Sequence, residues 1–201
     1  MQFINHRTNT IDLLNNVPLG HGMEIDLRAD TRRSGALVVH HDAWAEGIDF
    51  EDWLNAYKKV GHLGTVIFNT KEDGLEQRIC DLASDYGVQN YFFLDTAFPT
   101  LVAWTQLKNK TFFAGRVSKY EDWRQYLNFR NKPEWLWMDC FEGIPLSLET
   151  FESAAEHFKL CLVSPELQGK PIEQFSIFLE QARLCSAICT KNPTHWKDLL
   201  K

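Results

Sequence analysis

The chain has 201 residues, of which 44% are hydrophobic and 24% charged, and its formal net charge is −6. That length fits one domain with a sizeable core, and the composition is that of a globular protein. The acidic balance argues against a nucleic-acid binder, whose footprint is a basic patch or stripe, but it leaves room for a small phosphate substrate, which needs only a few local cations. No run approaches the roughly 20 apolar residues that span a bilayer, so no integral membrane segment is expected. The N-terminus lacks the basic, apolar and small-residue regions of a secretory signal. The five cysteines are an odd count. Cys140, Cys161 and Cys189 lie in or beside apolar runs, which suits free thiols in a reducing, cytoplasmic setting. Cys185 and Cys189 have no second Cys or His pair at zinc spacing.

In chain order, a short apolar run, Phe3-Ile4, leads into Asn5-His6-Arg7, and a helical patch covers Ile11 to Asn16 before Pro18 and Gly20. Gly22 to Asp42 reads as strand, polar turn, strand. Met23, Ile25 and Leu27 alternate with Glu24, Asp26 and Arg28, so Glu24 and Asp26 share one strand face, about 7 Å apart. Two carboxylates so placed repel unless a positive charge sits between them, and a hard divalent cation takes carboxylate oxygens. The second strand, Leu37 to His40, runs into His41-Asp42. His41 can move protons, whereas His40 points the opposite way and reads as structural.

Asp49 is placed to cap a helix over Phe50 to Val60, with Gly61 ending it. Strand and helix signals then alternate. Strands are expected at Thr65–Asn69, Tyr91–Leu94, Thr111–Ala114, Trp135–Met138, Leu160–Val163 and Ala187–Thr190. Helices are expected at Leu75–Tyr86, Pro99–Leu107, Glu121–Phe129, Leu148–Phe158, Ile172–Leu184 and His195–Leu200. Strands alternating with helices mean a parallel sheet. Eight such units make the fold class α/β, a short (β/α)8 TIM barrel formed by residues 1–201 as a single domain.

The ordered set His6-Arg7, Glu24-x-Asp26, Thr31, Gly35 and Val38-Val39-His40-His41-Asp42 resembles the glycerophosphodiester phosphodiesterase family, phospholipase-C-like barrel phosphodiesterases. In that family the first strand ends in His-Arg-Gly, the second carries Glu-x-Asp, and a turn with Thr and Gly leads to Val-Val-x-His-Asp. The match is sharp to about Lys71 and returns at Thr190-Lys191-Asn192-Pro193. The resemblance implies the same barrel, a divalent cation (Mg2+ or Ca2+) and attack by a substrate hydroxyl through a cyclic phosphate. Three departures stand out. Thr8 replaces the glycine. Asn69-Thr70-Lys71 stands where the family has Glu-x-Lys, whose Glu binds metal. The connection after His41 is too short for a separate lid, so an open mouth is expected.

Active sites of such barrels lie at the C-terminal strand ends. The polar residues there are His6, Arg7, Glu24, Asp26, His41, Asn69, Lys71, Asp95, Arg116, Asp139, Glu142, Ser164, Glu166, Lys191 and Asn192, with Trp44 and Trp196 as rim residues able to wall a substrate. The expected centre has Glu24, Asp26 and Asn69 on one cation, Arg7 and Lys71 on the substrate phosphate, and His6 and His41 as the acid–base pair. This describes a metal-dependent phosphodiester hydrolase acting on a small glycerophosphodiester-like substrate. The alternative is a degenerate barrel that binds a phosphorylated ligand without catalysis. The acid–base order of the histidines, the substrate alcohols and the oligomeric state stay open.

Overall fold

The computed structural model describes residues 1–61 and 64–201. The chain falls into two compact units, one of Asn5–Leu101 and one of Met1–Ile4 with Val102–Lys201. The first strand, β1, is Gln2–Asn5.

In the Asn5–Leu101 unit, α1 (Ile11–Asn15) follows Thr10, whose hydroxyl accepts from the Leu13 amide. Strand β2 (Gly22–Ala29) is buried from Gly22 through Leu27. Burial of both faces is what a parallel sheet covered on each side imposes, and β2 pairs in parallel with β5 (Val66–Thr70), placing Asp26 beside Asn69 and Glu24 beside Ile67. On its other edge β2 meets β3 (Leu37–Val39) in antiparallel register, Arg28 opposite Val38. The intervening turn is built on Asp30, whose carboxylate accepts from the Arg32 amide at 2.9 Å and from Arg33 Nε at 2.7 Å. Gly35 supplies the positive φ of 75° that closes the turn. A short strand absent from the sequence expectation, β4 (Ile48–Asp49), pairs antiparallel with β3.

Helix α2 (Phe50–Val60) has the expected bounds because its ends are set locally. Asp49 accepts from the Glu51 amide, acids fill the first turn, Lys58 and Lys59 the last, and Gly61 ends it with φ 72°. Phe50, Trp53, Leu54 and Tyr57 form its buried stripe. Burying side chains of this size stabilises by about 1.5–3 kcal/mol each. Trp53 Nε1 also donates to the Thr8 carbonyl at 2.9 Å, which ties the helix to the segment bearing His6 and Arg7. After β5 come α3 (Glu76–Tyr86), β6 (Tyr91–Leu94), which pairs in parallel with β5, and α4 (Phe98–Val102).

The second unit carries four parallel strands in sequence order: β7 (Ala114–Val117), β8 (Trp135–Met138), β9 (Lys159–Val163) and β10 (Ala187–Thr190). Its α-helices are α5 (Leu148–Ala155), α6 (Leu179–Leu184) and α7 (Pro193–Leu199). The Gln2 amide donates to the Ser186 carbonyl at 2.8 Å. The expected helix over Pro99–Leu107 divides into α4 and a π-helical turn, Ala103–Leu107. Trp123–Asn128 is a 3-10 helix, and Ile172–Phe178 is another that precedes α6. Strand β7 begins at Ala114, where the expected strand ended, because its register is fixed by Ala114 lying beside Trp135 of β8. All five cysteines are free thiols, and burial pushes Cys140 and Cys185 up to about 12. Among the described residues no helix is long and apolar enough to cross a membrane.

Candidate active site

His6-Arg7, Glu24-x-Asp26 and Asn69-Thr70-Lys71 come together inside the Asn5–Leu101 unit. Glu24 and Asp26 are fully buried on β2. Two ionisable groups this deep demand partners, and each carboxylate has its own. Glu24 Oε2 accepts from the Arg7 backbone amide at 2.7 Å and lies 3.8 Å from His6 Nε2. Glu24 Oε1 accepts from Asn69 Nδ2 at 2.9 Å. Arg7 adopts φ 54°, a left-handed turn that aims its amide at the carboxylate. Thr8 is buried and donates its hydroxyl to the Asn5 carbonyl at 3.1 Å.

Asp26 is framed by cations and an amide. Lys71 Nζ lies 3.0 Å from Oδ1, Arg7 Nε lies 3.8 Å from Oδ2, and Asn9 Nδ2 donates to Oδ2 at 2.8 Å. Asn9 Oδ1 in turn accepts from the Asp26 amide at 3.0 Å. Lys71 also reaches Asp95 at 3.4 Å.

The two carboxylates therefore diverge electrostatically. Burial, reinforced by the charge of Asp26, pushes Glu24 up to about 7 against the pull of the Asn69 and Arg7 donors. For Asp26, burial pushes upward but is outweighed by Lys71, Asn9 and the charge of His41, and its carboxyl lies below the ordinary range.

His41 stands just past β3, with Nδ1 2.8 Å from Asp42 Oδ1 and its side chain 38% exposed. Its carbonyl is gripped by Arg28, through Nε at 3.1 Å and Nη2 at 2.9 Å. Arg28 and Glu72 line a cleft of about 500 Å3 together with Arg32 and Trp44. Trp44 is 93% exposed and holds φ 65°.

The donor set fits a hard cation by type. The Asn69 carbonyl oxygen is buried without a hydrogen-bond partner, beside the fully buried Glu24 carboxylate, and both are oxygen donors of the kind a hard cation takes. Among the described residues no group of three or more His, Cys, Asp or Glu side chains converges to hold a metal. Asn9 and Arg28 are site residues that sequence reasoning missed. Arg28 follows Glu24 and Asp26 at alternate positions of β2, and that periodicity was the available signal.

No family model matches the chain. No curated protein matches it either. Solved structures do. A candidate glycerophosphodiester phosphodiesterase from Galdieria sulphuraria is 16% identical with a TM-score of 0.72, covering 99% of this chain and 97% of that one. An Oleispira antarctica phosphodiesterase, solved with the product sn-glycerol-3-phosphate, is 14% identical at TM-score 0.67, covering 100% and 96%. A glycerophosphodiester phosphodiesterase from Agrobacterium tumefaciens is 10% identical at TM-score 0.65, covering 99% and 98%.

The likeness shows the fold. It is the α/β, (β/α)8-barrel class expected from the sequence.

The strand-end residues of the second unit bind one another. Arg116 pairs with Asp139, which also accepts from Gln168 Nε2 at 2.7 Å. Lys119 holds Glu142 at 2.7 Å. Glu166 accepts from Ser164, from the Thr190 hydroxyl at 2.5 Å and from the Lys191 amide at 2.9 Å, and Asn192 donates its amide to Thr190 Oγ1 at 2.9 Å. Trp196 is not a substrate wall: it is fully buried, stacks on Phe175 and donates Nε1 to Ser164 at 2.7 Å. Its large apolar ring is worth more in the core than at the rim.

Proposed function

We propose that this protein is a phosphodiester hydrolase acting on a glycerophosphodiester-like substrate, with residues 1–201 working as one domain and the reacting groups in the Asn5–Leu101 unit. The observation that carries the reading is the fully buried pair Glu24 and Asp26, ringed by His6, Arg7 and Lys71. Burying two carboxylates beside two cations is costly and has no packing rationale. It makes sense as a preorganised place for a phosphodiester. The glycerol-phosphate product in the Oleispira antarctica enzyme supports the same substrate class.

Arg7 and Lys71 neutralise the phosphate charge. One of His6 and His41 takes the proton from the attacking substrate hydroxyl. The oxygen–phosphorus bond forms, the bond to the leaving alcohol breaks, and the other histidine gives a proton to that alcohol, leaving a cyclic phosphate; water then adds to the phosphorus with the two histidines in exchanged roles, the ring P–O bond breaks, and the proton returns to the substrate hydroxyl. Glu24, Asp26 and Asn69 would hold one divalent cation, Mg2+ or Ca2+, which when bound supplies a Lewis acid for the phosphoryl oxygen.

A second reading has one observation in its favour. Asn69 faces Glu24 with its N–H group, an arrangement suited to a barrel that binds a phosphorylated ligand without turnover. A release assay on a panel of glycerophosphodiesters, with Mg2+, Ca2+ or Mn2+ and a chelator control, separates the two. Cation-dependent release of an alcohol is expected. Saturable binding of the same diesters without release identifies the second.

A further inference from the structure

We infer that Arg28 is a positioning residue that locks the His41 segment onto the strand bearing the buried carboxylates. The inference rests on the acid–base reading of His41 given above. Arg28 shares a strand face with Glu24 and Asp26, and its side chain is only 19% exposed. Its Nε and Nη2 both donate to the His41 carbonyl, at 3.1 and 2.9 Å, while Nη1 reaches Glu72 Oε1 at 3.2 Å. Glu72 follows Lys71 directly, so one guanidinium joins the loop of His41 to the strand end of Lys71.

The loop needs such a tie. Strand β3 ends at Val39, two residues before His41. Among the described residues, the last main-chain bond holding it to β2 is the His40 amide on the Asp26 carbonyl at 3.0 Å. Beyond it come the exposed Asp42 and the largely exposed Trp44 in a left-handed conformation. A planar fork is the chemistry required: a lysine ammonium cannot span one carbonyl with two donors and hold a carboxylate behind it. Misplacing a reacting group by about 1 Å costs on the order of 100-fold in rate, so a device that fixes only main chain still governs turnover.

Arg28→Lys and Arg28→Ala test this in the full chain, with kinetics on the diester that the release assay identifies. Arg28→Ala is expected to lower kcat by about ten- to a hundredfold, with KM changed by less than about threefold. Arg28→Lys should fall between it and the native chain. In a His41→Ala background, Arg28→Ala should cost no more than about a further twofold, because Arg28 acts through that histidine. Equal losses in both backgrounds, or a loss confined to KM, overturn the inference. Hydrogen–deuterium exchange gives a second readout that needs no turnover. Arg28→Ala, or Arg28→Lys if the alanine variant does not fold, should speed exchange in residues 40–47 and leave α2 and β5 unchanged. Unchanged exchange in 40–47 overturns the inference even if the native chain is active. A native chain that releases no alcohol from any diester, with faster exchange in 40–47, sinks the hydrolase reading and keeps the tether.

Discussion

Asn69 donates its amide nitrogen to Glu24 at 2.9 Å and keeps its own carbonyl oxygen, buried, without a hydrogen-bond partner. One side chain thus quiets the carboxylate it faces and holds an acceptor in reserve. A glutamate in its place would face Glu24 across the same gap with a second negative charge.

Asn69→Glu should therefore destabilise the cation-free protein and tighten divalent binding by about several-fold, because affinity of a hard cation rises with ligand charge. Thermal denaturation with and without Mg2+ or Ca2+ measures both effects, and calorimetric titration gives the affinity. If the native and Asn69→Glu chains bind the cation equally, residue 69 is not a ligand.

His6 and His41 should behave as one machine. Each alanine variant is expected to lose about 100-fold or more in kcat/KM, and the double variant little beyond the worse single one. A single variant that keeps near-native kcat/KM on a turned-over diester removes that histidine from the pair.

Asp30 gives a stability prediction independent of catalysis. Donation from the Arg32 amide and the Arg33 side chain lowers its pKa from 3.8 to about 2. A depressed carboxylate contributes stability that is present above the unfolded value and is lost as pH falls through the folded one. Asp30→Asn should be less stable than the native chain by a constant amount above about pH 5. That gap should close between about 3.8 and about 2. Denaturant titrations across this range measure it; a gap that widens as pH falls would contradict the assignment.

What could be read from the sequence was whatever is written locally. Helix α2 carries its own start, stop and stripe in Asp49, Gly61 and Phe50-Trp53-Leu54-Tyr57, and alternation along β2 put Glu24 and Asp26 on one face. Strand β7 was misplaced because Ala114-Gly115-Arg116-Val117 has poor strand propensity beside the aromatic run before it. The glycine there answers to a partner. A Cβ at Gly115 would meet the Tyr126 ring at 2.5 Å, a contact no local pattern encodes. Asn9 escaped notice for a similar reason: its amide serves Asp26 only after the chain has turned at His6 and Arg7. The short 3-10 and π-helical segments at Trp123–Asn128 and Ala103–Leu107 follow from packing rather than from composition.

The hydrogen bond from the Arg7 amide to Glu24 belongs to the main chain, and every residue except proline carries that donor. Substitution at position 7 can alter or erase the guanidinium beside Asp26 while the Glu24 carboxylate stays anchored, provided that the new residue accepts φ 54°, as glycine and asparagine do most readily. Scaffold and charge at this position are thus inherited separately. A lineage could retune what the pocket attracts, one codon at a time, without first dismantling the frame that holds Glu24.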